Sequence, residues 1–573
     1  MEAKGTVLSL TRLKNLIMPD DTEGCQFSLV QDSANLVWRP IKVTMSDLAA
    51  QFRTYANAQL GRVLTQLDRD PNSPTFGCFD RNYWHYKIRD FPSSILQQGV
   101  FTLDAIRQGN LGKGVEPTVI ESWCVAAVNA LARQVDRVGG VDEYYPFERS
   151  YPAAAFGLYA VGRVLVDWQL QAPHLLEAID WQPLRRLAQH LANRVEQQAM
   201  NQQAAGLAGL ALAAKLSLMP LASVQSHADR LFAAQHPEGW FNEYGGPDFG
   251  YLAVTLDALS DYYDVTQDDR ALEAIDRAVT FLARLVGADG KLPSTLNCRN
   301  TDYVVPYGLV RAAARNPLAT WLVETLFAQM DQPDHFLWAT DDRYHCHYIY
   351  ASVVRSLPYL EKMLPASPPP VESDIWLEGC GYWIVWSLDR TWTAYVAARK
   401  GGLVRIHRQG QRPIVDHGWR VQAGNQLWTS NWWSSEWHIA RSAATVRISG
   451  LCQTSKFHVP VPLQHGLLRI LARLLGDRLI PLLKQQMIFR TGKAQGVQFD
   501  RNVQITATGV EVLDRFAAAP NATAVPSPRQ NLRHVASADS FHVEEWQPAL
   551  IAPGTYRLDQ PQQVQSRWSP EER

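Results

Sequence analysis

The chain has few of the features that mark several large classes of protein. Its seven cysteines are scattered, odd in number and without Cys-x-x-Cys spacing, which argues against a disulfide framework or a zinc site. The 55 lysines and arginines nearly balance the 56 aspartates and glutamates, so the net charge of −1 gives no support for nucleic-acid binding. No apolar run reaches the ~18 residues that a transmembrane helix needs.

Several short motifs are also missing. The sequence has no glycine-rich phosphate loop, no nucleophile elbow and no His-Glu-x-x-His motif, which disfavours nucleotide binding, serine hydrolysis and zinc proteolysis. Residues 1–19 carry four charges and only short apolar pieces, unlike a secretory signal. We therefore expect a cytoplasmic protein with no cofactor and no metal.

The region between about residue 45 and residue 360 consists of successive helical segments. Apolar residues recur there at helical spacing, and Gly, Pro and Asp separate the segments. Paired helices over such a length predict a closed α/α toroid or an α-solenoid. The predicted helices span 46–67, 122–138, 151–169, 181–218, 223–235, 251–263, 271–286, 307–315, 318–330 and 347–363.

A proline-rich segment separates this helical half from a half with strand patterning. Three consecutive prolines, 368–370, cannot continue a helix. Short alternating runs follow at 382–387, 393–397, 403–407, 445–449, 456–461, 503–508 and 511–516, which predict an antiparallel β-sandwich. The expected fold class is multidomain α + β, with an N-terminal toroid before the sandwich. Its predicted parts are an extension (1–44), a toroid (45–363), a linker (364–371), a sandwich (372–520) and a C-terminal tail (521–573).

One helical pattern interrupts the strand pattern. Residues 463–487 have apolar positions at helical spacing, with Arg469, Arg473, Arg478 and Lys484 opposite them. Such a segment is either a membrane-surface helix or a helix packed on the sheet or the toroid. The packed helix is the favoured interpretation.

Two polar and aromatic clusters in the helical half are candidates for a site. The first, residues 80–87, includes Arg81, Tyr83, Trp84 and His85. Charged residues are rarely buried without a partner, so this segment must line a surface or a cleft. A loop held by salt bridges is the structural alternative.

The second cluster, residues 142–151, offers carboxylates beside aromatic rings. Asp142, Glu143 and Glu148 could supply a pair of carboxylates for acid–base catalysis. The alternative is a structural ion pair between Glu148 and Arg149.

The aromatic loop at residues 238–251 is the most informative segment of the chain. It places Trp240, Glu243, Tyr244, Asp248 and Tyr251 around a glycine turn between two apolar helices. Glycines permit a sharp turn, and the aromatic rings offer flat faces. Loops at helix junctions are where an all-helical scaffold displays a binding site.

A fourth cluster, residues 297–303, adds Arg299 and Asn300, and Tyr307 follows it. Arg299 could bind a carboxylate through two parallel hydrogen bonds. His345, His347 and Tyr348 could join this cluster. On a helix the two histidines would point about 200° apart and could not hold a metal together, whereas on a strand they could; no third ligand is evident.

The order of helical half, proline linker and β half resembles heparinase II/III-like and related alginate lyases. The resemblance implies an incomplete toroid followed by a sandwich, acting on acidic polysaccharide. Asn201 matches the amide that neutralises the uronate carboxylate in that family, and Gln202 stands where His is usual. Phe249 occupies the position of the family's tyrosine and Gly250 that of its histidine. No His-x-His-x-Asp stretch follows residue 371.

These departures leave several functions open. Because Phe249 cannot transfer a proton, Tyr251, Tyr244 or His85 must act in its place if the protein is a lyase. Glu243 and Asp248 would instead suit hydrolysis. The predicted catalytic residues are thus Asn201, Glu243, Asp248, Tyr251 and His85, which would have to meet in one cleft together with Arg299.

Two alternatives to an enzyme acting on acidic glycans remain. One is a protein of the same fold that binds glycan without turnover, for example in polysaccharide assembly. The other is a terpenoid cyclase-like toroid, suggested by residues 235–240, which contain a single Gln…Gly-x-Trp repeat. No second repeat and no Asp-x-Asp-Asp motif supports the cyclase interpretation.

Overall fold

The computed structural model describes residues 28–32, 35–39, 44–299, 301–332, 335–370, 372–408, 410–455, 461–487, 496–528, 550–551 and 553–570. Its helical part contains α1 (Met45–Leu64), α2 (Arg81–Trp84), α3 (Val100–Arg107), α4 (Pro117–Gln134), α5 (Tyr151–Gln171), α6 (Trp181–Ala192), α7 (Met200–Lys215), α8 (Ala222–Ala233), α9 (Phe249–Thr266), α10 (Asp269–Leu285), α11 (Tyr307–Ala313), α12 (Pro317–Phe327), α13 (Asp342–Tyr344) and α14 (Tyr350–Ser356). A π-helical turn, His345–Ile349, leads into α14.

The helices form a closed ring of inner helices surrounded by outer ones. The inner helices α3, α5, α7, α9, α11 and α14 each contact the next, and α14 returns to α3. Each has an outer partner among the described residues, in the pairs α3–α4, α5–α6, α7–α8, α9–α10, α11–α12 and α14–α1. The helical half is therefore a closed α/α toroid rather than an open solenoid.

Sequence determines which helices are inner. Helices α5, α7 and α9 are buried on nearly all sides and are apolar around their circumference, as a helix enclosed by others must be. Helices α6 and α10 bury only one stripe. Small residues allow close contact between α5 and α7: a Cβ on Gly209 would lie 3.0 Å from the backbone nitrogen of Tyr159.

Among the described residues, the β part contains three five-stranded antiparallel sheets rather than the two of a sandwich. Their strand orders are β3-β4-β5-β6-β7, β12-β9-β8-β15-β16 and β10-β11-β13-β14-β17, and β1 and β2 form a separate hairpin. The strands are β1 (Ser28–Asp32), β2 (Asn35–Arg39), β3 (Asp374–Leu377), β4 (Tyr382–Trp386), β5 (Trp392–Ala397), β6 (Leu403–Arg408), β7 (Ile414–Val415), β8 (Trp419–Ala423), β9 (Gln426–Thr429), β10 (His438–Arg441), β11 (Thr445–Leu451), β12 (Gln453–Ser455), β13 (Gln498–Thr506), β14 (Gly509–Phe516), β15 (Ala522–Pro526), β16 (Tyr556–Arg557) and β17 (Gln562–Trp568).

The sheets extend beyond residue 520, into the segment treated above as a tail. Strand β15 pairs with β8, and β17 pairs with β14 along its whole length. The Gln- and Ser-rich composition of β17 conceals its alternation, in which Val564 and Trp568 face the core. The strand expected at 456–461 falls mostly on 456–460, outside the described residues.

The first sheet attaches the β part to the toroid. The hydroxyl of Tyr395 donates to the carbonyl of Leu285 (2.8 Å), and the ammonium of Lys400 donates to the carbonyl of Asn297 (2.7 Å). The hydroxyls of Thr295 and Tyr382 lie 3.0 Å apart. These contacts fix the loops at one end of the toroid against a rigid sheet.

The segment 463–487 forms two helices where one was expected. They are α15 (Pro462–Leu475) and α16 (Leu479–Met487), which we call the covering hairpin. Gly476 ends α15 with a φ of +55°, a left-handed conformation that favours glycine. The hairpin packs against the toroid, where Ala472 and Leu479 are buried. In the part of the chain that is described, no helix combines the length and the apolar character that crossing a bilayer requires.

Candidate functional site

A cleft of about 1150 Å³ lies between one end of the toroid and the covering hairpin. It is larger than the ~300–1,000 Å³ typical of small-molecule sites, which suits an extended ligand. Among the described residues, seven tyrosines line it, together with three arginines (Arg89, Arg194 and Arg343) and five acidic residues (Glu143, Glu148, Glu196, Asp341 and Asp477). The tyrosines are Tyr144, Tyr145, Tyr151, Tyr244, Tyr251, Tyr344 and Tyr348. Tyrosine combines a flat apolar ring with a hydrogen-bonding tip, which suits a wet, partly apolar ligand.

Asn201 reaches the cleft from the first turn of α7 and is held by Glu243. The backbone N–H of Asn201 donates to Oε1 of Glu243 (2.7 Å), and its side-chain amide donates to Oε2 (2.5 Å). Glu243 itself is fully buried, and burial raises its carboxyl pKa well above the usual value. The carboxyl group of Glu243 thus orients the amide and does not line the cleft.

Tyr251 lies in the first turn of α9, and Asp248 caps that helix. The carboxylate of Asp248 accepts from the backbone N–H groups of Gly250 (3.1 Å) and Tyr251 (3.2 Å), and from the hydroxyl of Thr301 (2.8 Å). Burial raises the pKa of Asp248 to about 6. Phe249, at the position of the family's tyrosine, is buried outside the cleft lining, whereas Tyr251 lines the cleft.

The π-helical turn before α14 brings His347 into the cleft wall. His347 is buried, and within the described chain neither of its ring nitrogens has a hydrogen-bond partner. Burial, and then the charge of Arg343, holds its pKa well below the usual value. Its ring lies against Tyr344 and Tyr348, with centroid distances of 5.5 and 4.3 Å.

His345 has different surroundings from His347. The imidazole of His345 lies 3.4 Å from the hydroxyl of Tyr55, away from the cleft lining. Nowhere in the described residues do three His, Cys, Asp or Glu side chains come together as a metal site would require.

Glu148 and Arg343 also line the cleft, and they come from two other segments of the chain. The carboxyl of Glu148 accepts from the backbone N–H groups of Glu143 (3.1 Å) and Tyr144 (2.7 Å), and burial followed by the charge of Glu143 raises its pKa to about 8. Arg343 donates to Glu143 (2.7 Å), while its Nε has no partner among the described residues.

The predicted site residues at or near the cleft fall into three groups. Five of them line the cleft: Asn201, Gln202, Tyr244, Tyr251 and Glu148. Behind this lining lie Glu243, Asp248 and Arg299, whose guanidinium stacks 4.5 Å from the ring centroid of Tyr244. Arg149 lies at the edge, bonded to Asp136 (2.8 Å) and packed against Gly476 of the covering hairpin. Asn300 falls outside the described residues.

The first cluster lies away from the cleft lining. Arg81 and Trp84 donate to the carbonyls of Thr65 (2.7 Å) and Gln66 (2.8 Å), which fastens the short helix α2 to the end of α1. His85 is exposed on the surface, and Tyr83 is half-buried, neither of them in the cleft lining. The described contacts of this cluster are therefore structural: they anchor α2 to the end of α1.

Trp240 and Tyr307 also have structural surroundings. The indole of Trp240 stacks on His236 at 4.4 Å and donates to Glu238 (2.8 Å), whose carboxylate accepts from the backbone of Gly379. This contact joins the toroid to the β part, so the single Gln…Gly-x-Trp repeat has a packing role. Tyr307 donates to Asp261 (2.9 Å) inside the ring of helices.

Sequence reasoning missed Arg343 and Tyr344 and left the place of His347 and Tyr348 open. The available signal was the density of charged and aromatic residues at 341–350. It also did not predict that the covering hairpin forms one wall of the cleft, to which His465, Leu468 and Ile480 contribute.

Comparison with solved structures identifies the architecture. A chondroitin AC lyase from Streptomyces coelicolor A3, in complex with chondroitin sulphate, matches with a TM-score of 0.50 at 12% identity, over 87% of this chain and 69% of that one. The protein has a polysaccharide lyase-like fold. The expected fold class, a toroid followed by antiparallel sheets, is thereby confirmed.

Two further solved structures match with lower TM-scores. A chondroitinase AC lyase matches with a TM-score of 0.40 at 10% identity, over 84% of this chain and 68% of that one. A heparinase III matches with a TM-score of 0.35 at 9% identity, over 72% and 62%. Neither protein-family models nor curated protein sequences give a match to this lyase-fold chain.

Proposed function

We propose that the protein is carbohydrate-active, binds an acidic polysaccharide or oligosaccharide in the tyrosine-lined cleft, and cleaves it by β-elimination. The observation that carries the proposal is the presence of Asn201, Tyr251 and His347 in the lining of one cleft of a lyase fold. Elimination needs a base for the proton beside the uronate carboxylate, an acid for the leaving oxygen, and a group that stabilises the enolate.

Their environments suggest a role for each of the three residues. Because burial and then Arg343 lower the pKa of His347, its imidazole is neutral at pH 7, with a ring nitrogen open to a substrate proton, although it is a weaker base than an exposed histidine. Burial, and then the neighbouring Tyr303, raises the pKa of Tyr251, so its hydroxyl keeps the proton that a leaving oxygen needs. The amide of Asn201 uses one N–H on Glu243 and has a second for the substrate carboxylate.

Among the charged groups of the cleft, Arg343 gives the main support for an anionic ligand. Arg89 and Arg194 already pair with Asp80 (3.2 Å) and Asp477 (3.6 Å). Arg343 pairs with Glu143 through one terminal nitrogen, and its partnerless Nε leaves a donor for a carboxylate or sulfate. The neighbour from Streptomyces coelicolor, whose complex contains chondroitin sulphate, makes uronate-containing glycans the first substrates to test.

Hydrolysis by Glu243 and Asp248 has less support. Both carboxyl groups are buried and engaged, one by Asn201 and the other by the start of α9. Binding without turnover is the second candidate function, because Phe249 and Gln202 replace the tyrosine and histidine of the family pattern.

A substrate panel separates these functions. Purified protein is incubated with uronate-containing glycans while the ultraviolet absorbance of the unsaturated uronate and the reducing ends are both followed. A rise in both supports elimination, and a rise in reducing ends alone means hydrolysis. Calorimetric binding without either signal means a glycan-binding protein.

Variants then connect any activity to the cleft. His347→Gln and Tyr251→Phe should each lose turnover and retain folding. Tyr262→Phe, which removes a hydroxyl bonded to Asp268 (2.9 Å) outside the cleft lining, is the matched control and should keep full activity. Undiminished turnover in both cleft variants would remove these residues from the mechanism.

A further inference from the structure

The covering hairpin has two opposite faces with different environments. Its inward face contributes His465, Leu468 and Ile480 to the cleft lining and buries Ala472. On a helix with 100° per residue, positions 463, 467, 470 and 474 lie on the side opposite 465, 468 and 472. These four outward positions carry only leucine and isoleucine.

This outward stripe is apolar and open. The exposed fractions of Leu463, Leu467, Ile470 and Leu474 are 81%, 55%, 60% and 75%. Of the 18 exposed large hydrophobic residues in the described chain, seven lie between residues 461 and 482. Elsewhere in the described chain such residues occur singly or in twos, as at Tyr86 and Ile88 or Val115 and Val119, so the seven on one hairpin indicate a contact surface.

Basic side chains border the apolar stripe. Arg469 and Arg473 lie on one flank of α15, and Arg478 follows at the turn of the hairpin, all three exposed. Arg469 forms an ion pair with Asp90 (2.7 Å), so the basic border depends mainly on Arg473 and Arg478. Within 461–487 the sequence has four lysines and arginines against one acid, Asp477, which pairs with Arg194 (3.6 Å). Beside Arg473 lies Phe147, an exposed ring 5.7 Å away that could enter the same surface.

We propose that the outward face of the covering hairpin docks on an anionic lipid surface. An apolar stripe with arginines along its border is the arrangement by which an amphipathic helix lies in a bilayer interface, and the arginines can keep their charges at the headgroups. At 14 residues α15 is too short to span the ~30 Å apolar layer, so it lies on the surface.

Charge favours a lipid surface over a second copy of this chain. Pairing two hairpins through these stripes would place two sets of the same arginines together, with the single acid already engaged within its own chain. Arg469 is already paired with Asp90 (2.7 Å), so an anionic bilayer would supply the opposite charge to Arg473 and Arg478. This inference concerns the outer face of the hairpin and does not depend on the chemistry in the cleft.

The test is co-sedimentation of the full chain with vesicles of phosphatidylcholine, with and without phosphatidylglycerol. We expect binding to the mixed vesicles, little binding to phosphatidylcholine alone, and weaker binding at 1 M salt, where the screening length falls to about 3 Å. Leu467→Gln/Ile470→Gln should bind at least about tenfold less well. Arg473→Gln/Arg478→Gln should lose the preference for the anionic vesicles.

The matched control is Leu170→Gln/Leu388→Gln, which changes two exposed leucines away from the hairpin. It should bind vesicles like the unmodified protein, and circular dichroism should show every variant folded. The proposal is overturned if the unmodified chain does not sediment with anionic vesicles. It is also overturned if Leu467→Gln/Ile470→Gln binds undiminished, or if ultracentrifugation shows a dimer that this variant dissociates. Since no glycan is present, failure here leaves the proposed glycan chemistry untouched.

Discussion

Two polar clusters inside the toroid share a composition of tyrosine and arginine but differ in how fully their hydrogen bonds are satisfied. In the first, which we call the saturated cluster, Asp261 accepts from the hydroxyls of Tyr159 (2.6 Å) and Tyr307 (2.9 Å) and pairs with Arg355. The second is the cleft, where His347 and Nε of Arg343 have no partners among the described residues.

The two clusters lie at opposite ends of α9. Asp261 and Tyr251 are ten residues apart on that helix, or about 15 Å. The comparison shows that a high density of tyrosine and arginine does not by itself mark a site. Buried polar groups that satisfy one another stabilise a fold, whereas buried polar groups that face a cavity without partners await a ligand.

The largest expected effect on stability is in the saturated cluster. Burial acts to raise the pKa of Asp261, but Arg355 and Arg163 outweigh it, so the pKa is lowered and the carboxylate is charged. Asp261→Asn would leave the buried Arg355 without its counter-ion, at a cost of about 3–5 kcal/mol. Urea unfolding measures this cost.

The control for that substitution is Tyr307→Phe. It removes one hydrogen bond to the same carboxylate and should cost only about 1 kcal/mol. If Asp261→Asn cost no more than this control, the saturated cluster would not be the structural element described here.

The largest expected effect on activity is in the cleft. His347→Gln and Tyr251→Phe should each lower turnover by about 10²- to 10⁴-fold, the usual contribution of a general acid or base. Both should leave the free energy of unfolding nearly unchanged, because the ring nitrogens of His347 have no partner among the described residues and Tyr251→Phe keeps the buried ring. A loss of stability in parallel with activity would show that the polar groups of the cleft stabilise the fold, as those of the saturated cluster do.

A smaller effect is expected where a predicted catalytic residue proves to be a helix cap. Asp248→Ala removes the acceptor for two backbone N–H groups of α9 and should cost about 1 kcal/mol. Asp248→Asn keeps a capping oxygen and should cost less. Thermal unfolding compares the two, and equal losses would argue against capping as the role of this carboxylate.

The smallest effect concerns pH. The pKa of Glu148 is about 8 in the folded protein against an ordinary value of 4.5, so its contribution to stability is full below about 4.5 and is lost as pH rises through about 8. Glu148→Gln removes this loss, and its stability should gain on that of the unmodified protein as pH rises. Glu116→Gln, at an exposed position, is the control and should follow the unmodified pH profile. Parallel stability curves for Glu148→Gln and the unmodified protein would contradict the prediction.

The sequence predicted the fold class because helical and strand periodicities change at the proline segment, and those periodicities reflect burial directly. It could not predict that Gly476 divides one helical pattern in two, nor that the resulting hairpin covers the toroid, because both depend on contacts with Arg149 and its surroundings. Strand β17 was missed because its polar residues dominate its composition.

The candidate site was predictable only in part, because it also depends on contacts that sequence periodicity does not show. The start of α9 at Phe249, beside Tyr251, lies close to the predicted start at 251, but the start of α7 at Met200 fell inside a helix predicted as continuous over 181–218, and Asn201 was a candidate only through the family resemblance. Whether Asp248 caps a helix or faces a ligand depends on a hydrogen bond of about 3 Å, which no spacing reveals. His347 reaches the cleft through a π-helical turn, and ordinary helical periodicity does not place such a residue.

The most direct test of the central claim is a crystal structure of the protein with a uronate-containing oligosaccharide. We predict that the sugar lies on the tyrosines of the cleft, with a carboxylate beside Asn201 and Arg343 and a ring hydrogen facing His347. Sugar bound elsewhere, with the cleft still empty, would contradict the account.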